Sequence, residues 1–190
     1  MNPFKAYDIR GTYGAEIDDT LAFRVGRAFA RFMGGVNLLG GSDARSHSAE
    51  LLRAFGAGAA RAGSTLHDAG CTSTPALHYL QMHRGYGAGV MATASHNPPQ
   101  YHGFKLFDGS GGSVGYAKGL REVEAAVAED RSLPPAALPA LPALPAAELD
   151  AYLQFATAHV RPQVRGMKVV LDASNAVSYT HLTLPTKRIV

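Results

Sequence analysis

Short apolar runs alternate with amphipathic stretches over most of the first 132 residues, and this alternation constrains the possible folds more than any other feature. The runs predicted to be strands are Val36–Gly40, Ser64–His67, Ala88–Met91 and Gly103–Phe107. The stretches with apolar residues at helical spacing are Leu21–Phe32, Ser48–Ala62, Ala76–His83 and Ala117–Glu129. Because a helix between two strands usually leaves them parallel, the sequence predicts a three-layer α/β/α domain with a mixed, largely parallel sheet.

The second predicted helix, Ser48–Ala62, contains two glycines. Gly56 and Gly58 lie in its interior, where glycine costs roughly 1 kcal/mol relative to alanine. This cost indicates that a neighbouring backbone passes close to the helix. Before the helix, Asp43 is predicted to cap it. Arg45 is predicted to tie neighbouring loops together, and contact with a bound ligand is the alternative.

The composition argues against several classes of protein. Of the 190 residues, 46% are hydrophobic and 17% are charged, which is typical of a globular chain. The 18 Lys and Arg exceed the 15 Asp and Glu, which gives a net charge of +3, but the basic residues are scattered singly, without the basic runs and interleaved aromatic residues that bind nucleic acid. The sequence has no pattern typical of a membrane span or a secretory signal, so a cytoplasmic protein is expected. Cys71 has no partner cysteine, which agrees with a reducing compartment.

A proline- and alanine-rich segment, residues 133–146, follows the first predicted domain, residues 1–132. Its last prolines recur every three residues, which favours a short, semi-rigid extended linker. A docking site for a proline-recognising partner is the alternative. Residues 147–175 contain a predicted helix, Ala147–Val160, and a predicted strand, Met167–Asp172, and are expected to begin a second similar domain.

The final stretch, residues 176–190, does not continue this pattern. It contains no glycine and no helical apolar stripe, although another parallel-sheet unit requires a turn and an amphipathic helix after its strand. We therefore expect residues 176–190 to be non-native, similar to translated adapter sequence. A divergent native tail is the alternative.

The stretch with the clearest chemical character is Ala92–Lys105, which reads A-T-A-S-H-N-P-P-Q-Y-H-G-F-K. Ser95 follows a predicted strand, at the carboxyl end where ligands gather in such sheets. Because proline disfavours the helical conformation of the residue before it, Pro98 and Pro99 are expected to keep the loop extended. In an extended segment, His96 would point away from Ser95. From these residues alone, Ser95 is either a presented nucleophile or an ordinary solvated hydroxyl.

The string T-A-S-H-N-P, followed by Y-x-G-x-K, resembles the active-site serine loop of the α-D-phosphohexomutases, the phosphomannomutase/phosphoglucomutase family. A second match lies near the start, where Tyr7–Gly11 reads Y-D-I-R-G as in that family. Gly41–Arg45 keeps the Asp and Arg of the family's G-R-D-x-R, but Ser42 replaces the usual arginine. His102 also departs, since the family usually has asparagine there. The resemblance extends over residues 1–175.

The resemblance implies an isomerase of carbohydrate metabolism, an intramolecular phosphotransferase that interconverts hexose 1-phosphate and hexose 6-phosphate. It implies that Ser95 carries the phosphoryl group, that a hexose 1,6-bisphosphate is intermediate and activator, and that Mg²⁺ binds at Ser95 through the serine phosphate. The implied partner is a phosphorylated hexose. The residues expected to take part in catalysis are Ser95, His96, Lys105 and Arg10. Those expected to bind substrate phosphate are Tyr7, Arg10, Asn97 and Lys105.

In the family, this resemblance corresponds to the first of four domains and the edge of the second. The family's D-x-D-x-D magnesium loop, its sugar-reading loop and its phosphate-binding loop lie further along, and the 190 residues contain none of them. The sequence therefore predicts a phosphohexomutase fragment that is inactive by itself. The alternative is a domain that binds phosphosugars without turnover.

Overall fold

The computed structural model describes residues 2–145 and 147–158. Its strands are β1 (Ile9–Thr12), β2 (Leu38–Ser42), β3 (Leu66–Cys71), β4 (Ala88–Ala92) and β5 (Tyr101–Phe107). Its α-helices are α1 (Asp19–Phe32), α2 (Ser48–Arg61), α3 (Thr74–Arg84), α4 (Leu120–Glu129) and α5 (Ala147–Thr157). Each strand and helix predicted within the described residues is present, with shifted ends. The predicted strand Met167–Asp172 and the stretch 176–190 lie outside the described residues.

Capping chemistry explains how α1 begins but not how α2 begins. The Asp18 carboxylate accepts a hydrogen bond from the Leu21 N–H at 2.7 Å and caps α1. The residue before α2 is His47, whose side chain makes no capping hydrogen bond. The prediction that Asp43 caps α2 is therefore wrong, because residues 44–47 bend and turn before the helix begins.

The five strands form one sheet in the order β1-β5-β4-β2-β3. β2 is parallel to β3 and β4, whereas β5 is antiparallel to both β4 and β1. The sheet is therefore mixed, as predicted, but only two of its four pairings are parallel. The reason is that a short loop without a helix joins β4 to β5 and returns the chain antiparallel. This loop contains Ser95.

Helices cover both faces of the sheet and complete the predicted three layers. α1, α2 and α4 contribute to the larger apolar core, in which Phe29, Phe55 and Phe104 are fully buried. α3 contributes to a smaller core on the opposite face, with Leu77 and Leu80 buried against the sheet. α5 packs on the outside of α3, where the Phe155 and Tyr79 rings stack at 4.6 Å between centroids.

The two interior glycines of α2 make different contacts. A Cβ on Gly58 would collide with the backbone carbonyl of Phe23 on α1, which confirms the predicted close backbone. A Cβ on Gly56 would instead collide with the side chain of Leu141. The space that Gly56 leaves open is therefore filled by the proline-rich segment.

That segment lies along the edge of the sheet. The N–H of Asp68 on β3 donates to the Pro142 carbonyl at 2.8 Å, and the Leu144 N–H donates to the Asp68 carbonyl at 2.7 Å. Leu138 and Leu141 pack against the larger core. The segment is extended where it pairs with β3 at Ala143, but it is attached to the domain before it, whereas its composition alone predicted a linker. It thereby covers part of the exposed edge of β3.

Within residues 2–145 and 147–158, no helix combines the length and the apolar character needed to cross a bilayer.

Candidate functional site at the Ser95 loop

Ser95 lies in the loop between β4 and β5 with its residue exposed, directly after the buried Thr93 and Ala94. Its φ angle is +56°, and within the described residues it is the only non-glycine residue with a positive φ. This conformation is unfavourable for a residue with a side chain and persists only when its surroundings impose it. The strain therefore marks the loop as a candidate functional site.

The loop is turned, and the prediction of an extended loop is wrong. The Asn97 N–H donates to the Ala94 carbonyl at 3.1 Å, and the Tyr101 N–H donates to the Pro98 carbonyl at 3.0 Å. The proline rule restricts only the residue before each proline, so it leaves Ser95 and its neighbour free to form the first turn.

This turn also brings His96 towards Ser95. The Ser95 Oγ lies 3.3 Å from His96 Nδ1, a long hydrogen bond between two exposed side chains. The prediction that the two side chains point apart is therefore wrong, because it assumed an extended backbone. The nearby Asn97 side chain donates its amide to the Ala94 carbonyl at 2.8 Å and so helps to shape the loop.

Arg45 holds the loop from its inner side. Its Nη1 donates to the carbonyls of Pro98, at 2.7 Å, and Tyr101, at 3.0 Å. Its Nη2 donates to the carbonyls of Ser95 and Asn97, both at 2.7 Å. This confirms the prediction that Arg45 ties neighbouring loops together, although sequence reasoning did not anticipate that all the contacts fall on the serine loop.

Asp43 connects Arg45 to the backbone of Ser95. The carboxylate accepts hydrogen bonds from Arg45 Nε at 3.0 Å and from the Thr93 hydroxyl at 2.7 Å. The Thr93 hydroxyl in turn accepts the Ser95 N–H at 2.9 Å. The Ser48 hydroxyl donates to the other carboxylate oxygen at 2.6 Å. Asp43 is buried, with 7% of its surface exposed, and Arg45, Ser48 and Thr93 are buried as well. Together these residues form one interior hydrogen-bonded network.

The two predicted cations lie on neighbouring strands. Arg10 on β1 pairs with Gly103 on β5, two residues before Lys105, so both side chains project from the same face of the sheet. Lys105 Nζ lies 3.8 Å from the Asp8 carboxylate, and 30% of its side chain is exposed. Arg10 makes no ion pair with any described residue. Tyr7, just before β1, is 78% exposed.

A buried histidine beneath the loop was not predicted to have any role. His102 is 1% exposed, and its Nε2 accepts the His47 N–H at 3.3 Å. Burial lowers the pKa of His102 below its ordinary value. The signal was present in the alternation of β5, which places His102 on the same side as Phe104 and Leu106 of the larger core.

Concave surface does not by itself identify the site. A groove of about 540 Å³ lies between the starts of α1 and α2 and the proline-rich segment, and no residue of the Ser95 loop lines it. No group of three or more His, Cys, Asp or Glu suited to a metal ion occurs within the described ranges.

Comparison with known proteins gives consistent results. The family model described as "Phosphoglucomutase/phosphomannomutase, alpha/beta/alpha domain I" matches residues 1–133. A phosphomannomutase of Escherichia coli K12 is 37% identical over 132 residues, which cover 70% of this chain and 29% of the relative. A phosphomannomutase of Klebsiella pneumoniae is 36% identical over 132 residues, covering 70% of this chain and 83% of the relative.

A solved structure shows the same architecture. It is a phosphoglucomutase/phosphomannomutase family protein from Burkholderia thailandensis, with a TM-score of 0.70 and 26% identity. The match covers 85% of this chain and 36% of that one. The aligned part of this chain thus spans little more than a third of the solved protein and 29% of the Escherichia coli relative. Family model, sequence relatives and fold agree, and the chain belongs to the phosphoglucomutase/phosphomannomutase family, the α-D-phosphohexomutases, with residues 1–133 forming the N-terminal α/β/α domain.

Proposed function

We propose that this chain is part of a phosphohexomutase and supplies the serine that carries the phosphoryl group, Ser95. The observation that carries this proposal is the strained, exposed Ser95 on a loop fixed by Arg45. The sequence of that loop resembles the family's serine motif, and the relatives are named phosphomannomutases. The proposed substrates are phosphorylated hexoses.

The proposed reaction exchanges one phosphoryl group between Ser95 and the sugar. Phosphorylated Ser95 transfers its phosphoryl group to the free 6-hydroxyl of hexose 1-phosphate: that hydroxyl loses its proton to a general base, the bond between phosphorus and Ser95 Oγ breaks, and a hexose 1,6-bisphosphate forms. After the sugar reorients, the Ser95 oxygen accepts the phosphoryl group from position 1. The bond from phosphorus to the sugar oxygen breaks, that oxygen takes up a proton, and hexose 6-phosphate remains. The sum of the two transfers is an isomerisation that needs no outside phosphate.

Arg10 and Lys105 are proposed to neutralise the phosphate charge. A phosphoserine carries about −1.5 to −2 charges at neutral pH, and its transfer requires nearby positive groups. Both residues lie on the same sheet face: Lys105 is on β5, which pairs with the strand that leads to Ser95, and Arg10 is on β1, the next strand beyond β5. Lys105 is also a candidate general acid or base. His96, 3.3 Å from Ser95 Oγ, is the third group proposed to act in catalysis, while Tyr7 and Asn97 are proposed to bind substrate phosphate.

The described residues do not form a magnesium site by themselves. Among them, no group of three or more His, Cys, Asp or Glu side chains could hold a metal ion, and the Asp43 carboxylate already accepts hydrogen bonds from Arg45, Ser48 and Thr93. A phosphate on Ser95 would offer one oxygen ligand, so the Mg²⁺ that we propose for the whole enzyme needs further ligands from residues beyond those described.

The proposal is tested by joining residues 1–175 to the remaining domains of a related mutase. The chimaera is incubated with glucose 1,6-bisphosphate, and mass spectrometry locates the phosphate. We expect phosphate on Ser95 and none on the serines of other loops, such as Ser46 and Ser110. The Ser95→Ala chimaera is the control, and full activity in it, or phosphate on another side chain, would contradict the proposal.

A further inference from the structure

We propose that Arg45 is a positioning residue for the phosphoryl-carrying serine. Its guanidinium turns the carbonyls of the Ser95 loop inward and so keeps the outer side of the loop favourable for a phosphate on Ser95. This inference rests on the proposed function of Ser95 and adds a role for a residue that does not touch the substrate.

All the hydrogen-bonding capacity of the Arg45 guanidinium is used inside the protein. An arginine has five N–H donors, and here Nε bonds to Asp43 while each terminal nitrogen bonds to two loop carbonyls. The side chain is 2% exposed. Arg45 therefore has no donor left for a substrate phosphate, and its effect on the reaction must pass through the loop.

The inward carbonyls have an electrostatic consequence. Ser95, Asn97, Pro98 and Tyr101 direct their carbonyl oxygens at Arg45, so a phosphate on the outer side does not face these negative ends of the peptide dipoles. The N–H of His96 finds no acceptor among the described residues. With the carbonyls turned inward, this N–H is available to an anion attached to Ser95.

A second set of hydrogen bonds fixes the position of Arg45 relative to the backbone of Ser95. Asp43 is shared by Arg45 and by the Thr93 hydroxyl that accepts the Ser95 N–H. The positive φ of Ser95 is therefore imposed from both sides, by its N–H and by its carbonyl. Lysine cannot replace this arrangement, because its ammonium offers three donors from one point, whereas the planar fork of arginine serves four separated carbonyls.

The test installs the phosphate directly. Phosphoserine is incorporated at position 95 of the 190-residue chain, and the ³¹P resonance is followed against pH in the wild type and in Arg45→Lys. We expect the midpoint of the phosphate titration to rise by about half a pH unit or more in Arg45→Lys, because freed carbonyls disfavour the dianion. Hydrogen exchange in residues 93–101 should become about tenfold faster, while α1 keeps its protection.

Arg53→Lys is the matched control, since Arg53 is an exposed arginine of α2, the helix that follows Arg45 in the chain. It should titrate like the wild type. Circular dichroism verifies the fold of each variant. If Arg45→Lys does not fold, Arg45→Gln takes its place, because its planar amide still offers two donors to the loop.

An unchanged phosphate midpoint in a folded Arg45 variant overturns the proposal, and so does an equal shift in Arg53→Lys. Neither result depends on phosphoryl transfer, since the phosphate is already present. A chimaera that leaves Ser95 unphosphorylated contradicts the proposed function instead, so the two failures are distinguishable.

Discussion

Ser95 adopts a backbone conformation that glycine adopts with less strain. At φ +56° a Cβ is unfavourable, by about 1 kcal/mol for an L-residue. We therefore expect Ser95→Gly to be more stable than Ser95→Ala by about that amount, although both lack the hydroxyl. Urea denaturation of the two variants measures the difference. Equal stability would mean that the backbone relaxes without the positive φ.

His102 should make stability depend on pH. Its folded pKa is lowered by burial, so below about pH 6.5 the unfolded imidazole binds a proton while the folded one does not, and stability falls as the pH falls. The loss is at most about 1.4 kcal/mol per pH unit. The charged or titratable groups nearby are His47, Arg45, Asp43 and Tyr13.

The matched variant is His102→Asn, which keeps an acceptor for the His47 N–H. The difference in unfolding free energy between wild type and His102→Asn should shrink or reverse as the pH is lowered from 7 to 5, values that bracket the ordinary histidine midpoint. A difference that stays constant over this range would show that His102 titrates normally.

At the scale of elements, the proline-rich segment is part of the first domain's packing. Leu141 fills the space at Gly56, so Leu141→Ala should destabilise the domain by about 1–3 kcal/mol, less than a fully buried leucine because the residue is only half-buried. Leu133→Ala is the control: Leu133 is 70% exposed, and its truncation should change stability by less than about 0.5 kcal/mol.

Limited proteolysis gives a second readout of the same contact. Because hydrogen bonds to Asp68 attach the segment to β3, residues 138–144 should resist cleavage in the wild type and become sensitive in Leu141→Ala. Rapid cleavage of the wild type within 138–144 would contradict this packing, and it would instead support the linker that the composition predicted.

What the sequence predicted well is governed by local patterns. The spacing of apolar residues placed α1 and the strand before Ser95, because this spacing depends only on residues near in sequence. The contact between Asp43 and Thr93 spans 50 residues, and no local pattern encodes it. The turned loop was missed because the proline rule concerns one residue at a time. The position of residues 133–145 was missed because composition favours an extended chain but does not say what it packs against.

At the scale of the whole molecule, the topology decides which of the candidate residues lie on neighbouring strands. β4 carries Ser95 at its carboxyl end, and the antiparallel return through β5 places Lys105 beside β4 and Arg10 beside β5. Arg10, near the start of the chain, and Lys105 thus lie on neighbouring strands, and β5 also pairs with the strand that leads to Ser95. The family resemblance, by contrast, could assign roles to these residues but not the contacts that fix them.

The 190-residue chain is expected to show no mutase activity, because a phosphoryl-transfer transition state requires charges and sugar contacts held in place together. The chain offers Ser95, Arg10 and Lys105, whereas its sequence lacks the D-x-D-x-D, sugar-reading and phosphate-binding loops that the family resemblance implies. A coupled assay with glucose 1-phosphate or mannose 1-phosphate, activating bisphosphate and Mg²⁺ measures turnover, with Ser95→Ala as the control. Turnover above that control refutes the expectation. Binding of either sugar phosphate without turnover, measured by calorimetry, would favour the phosphosugar-binding alternative for this chain.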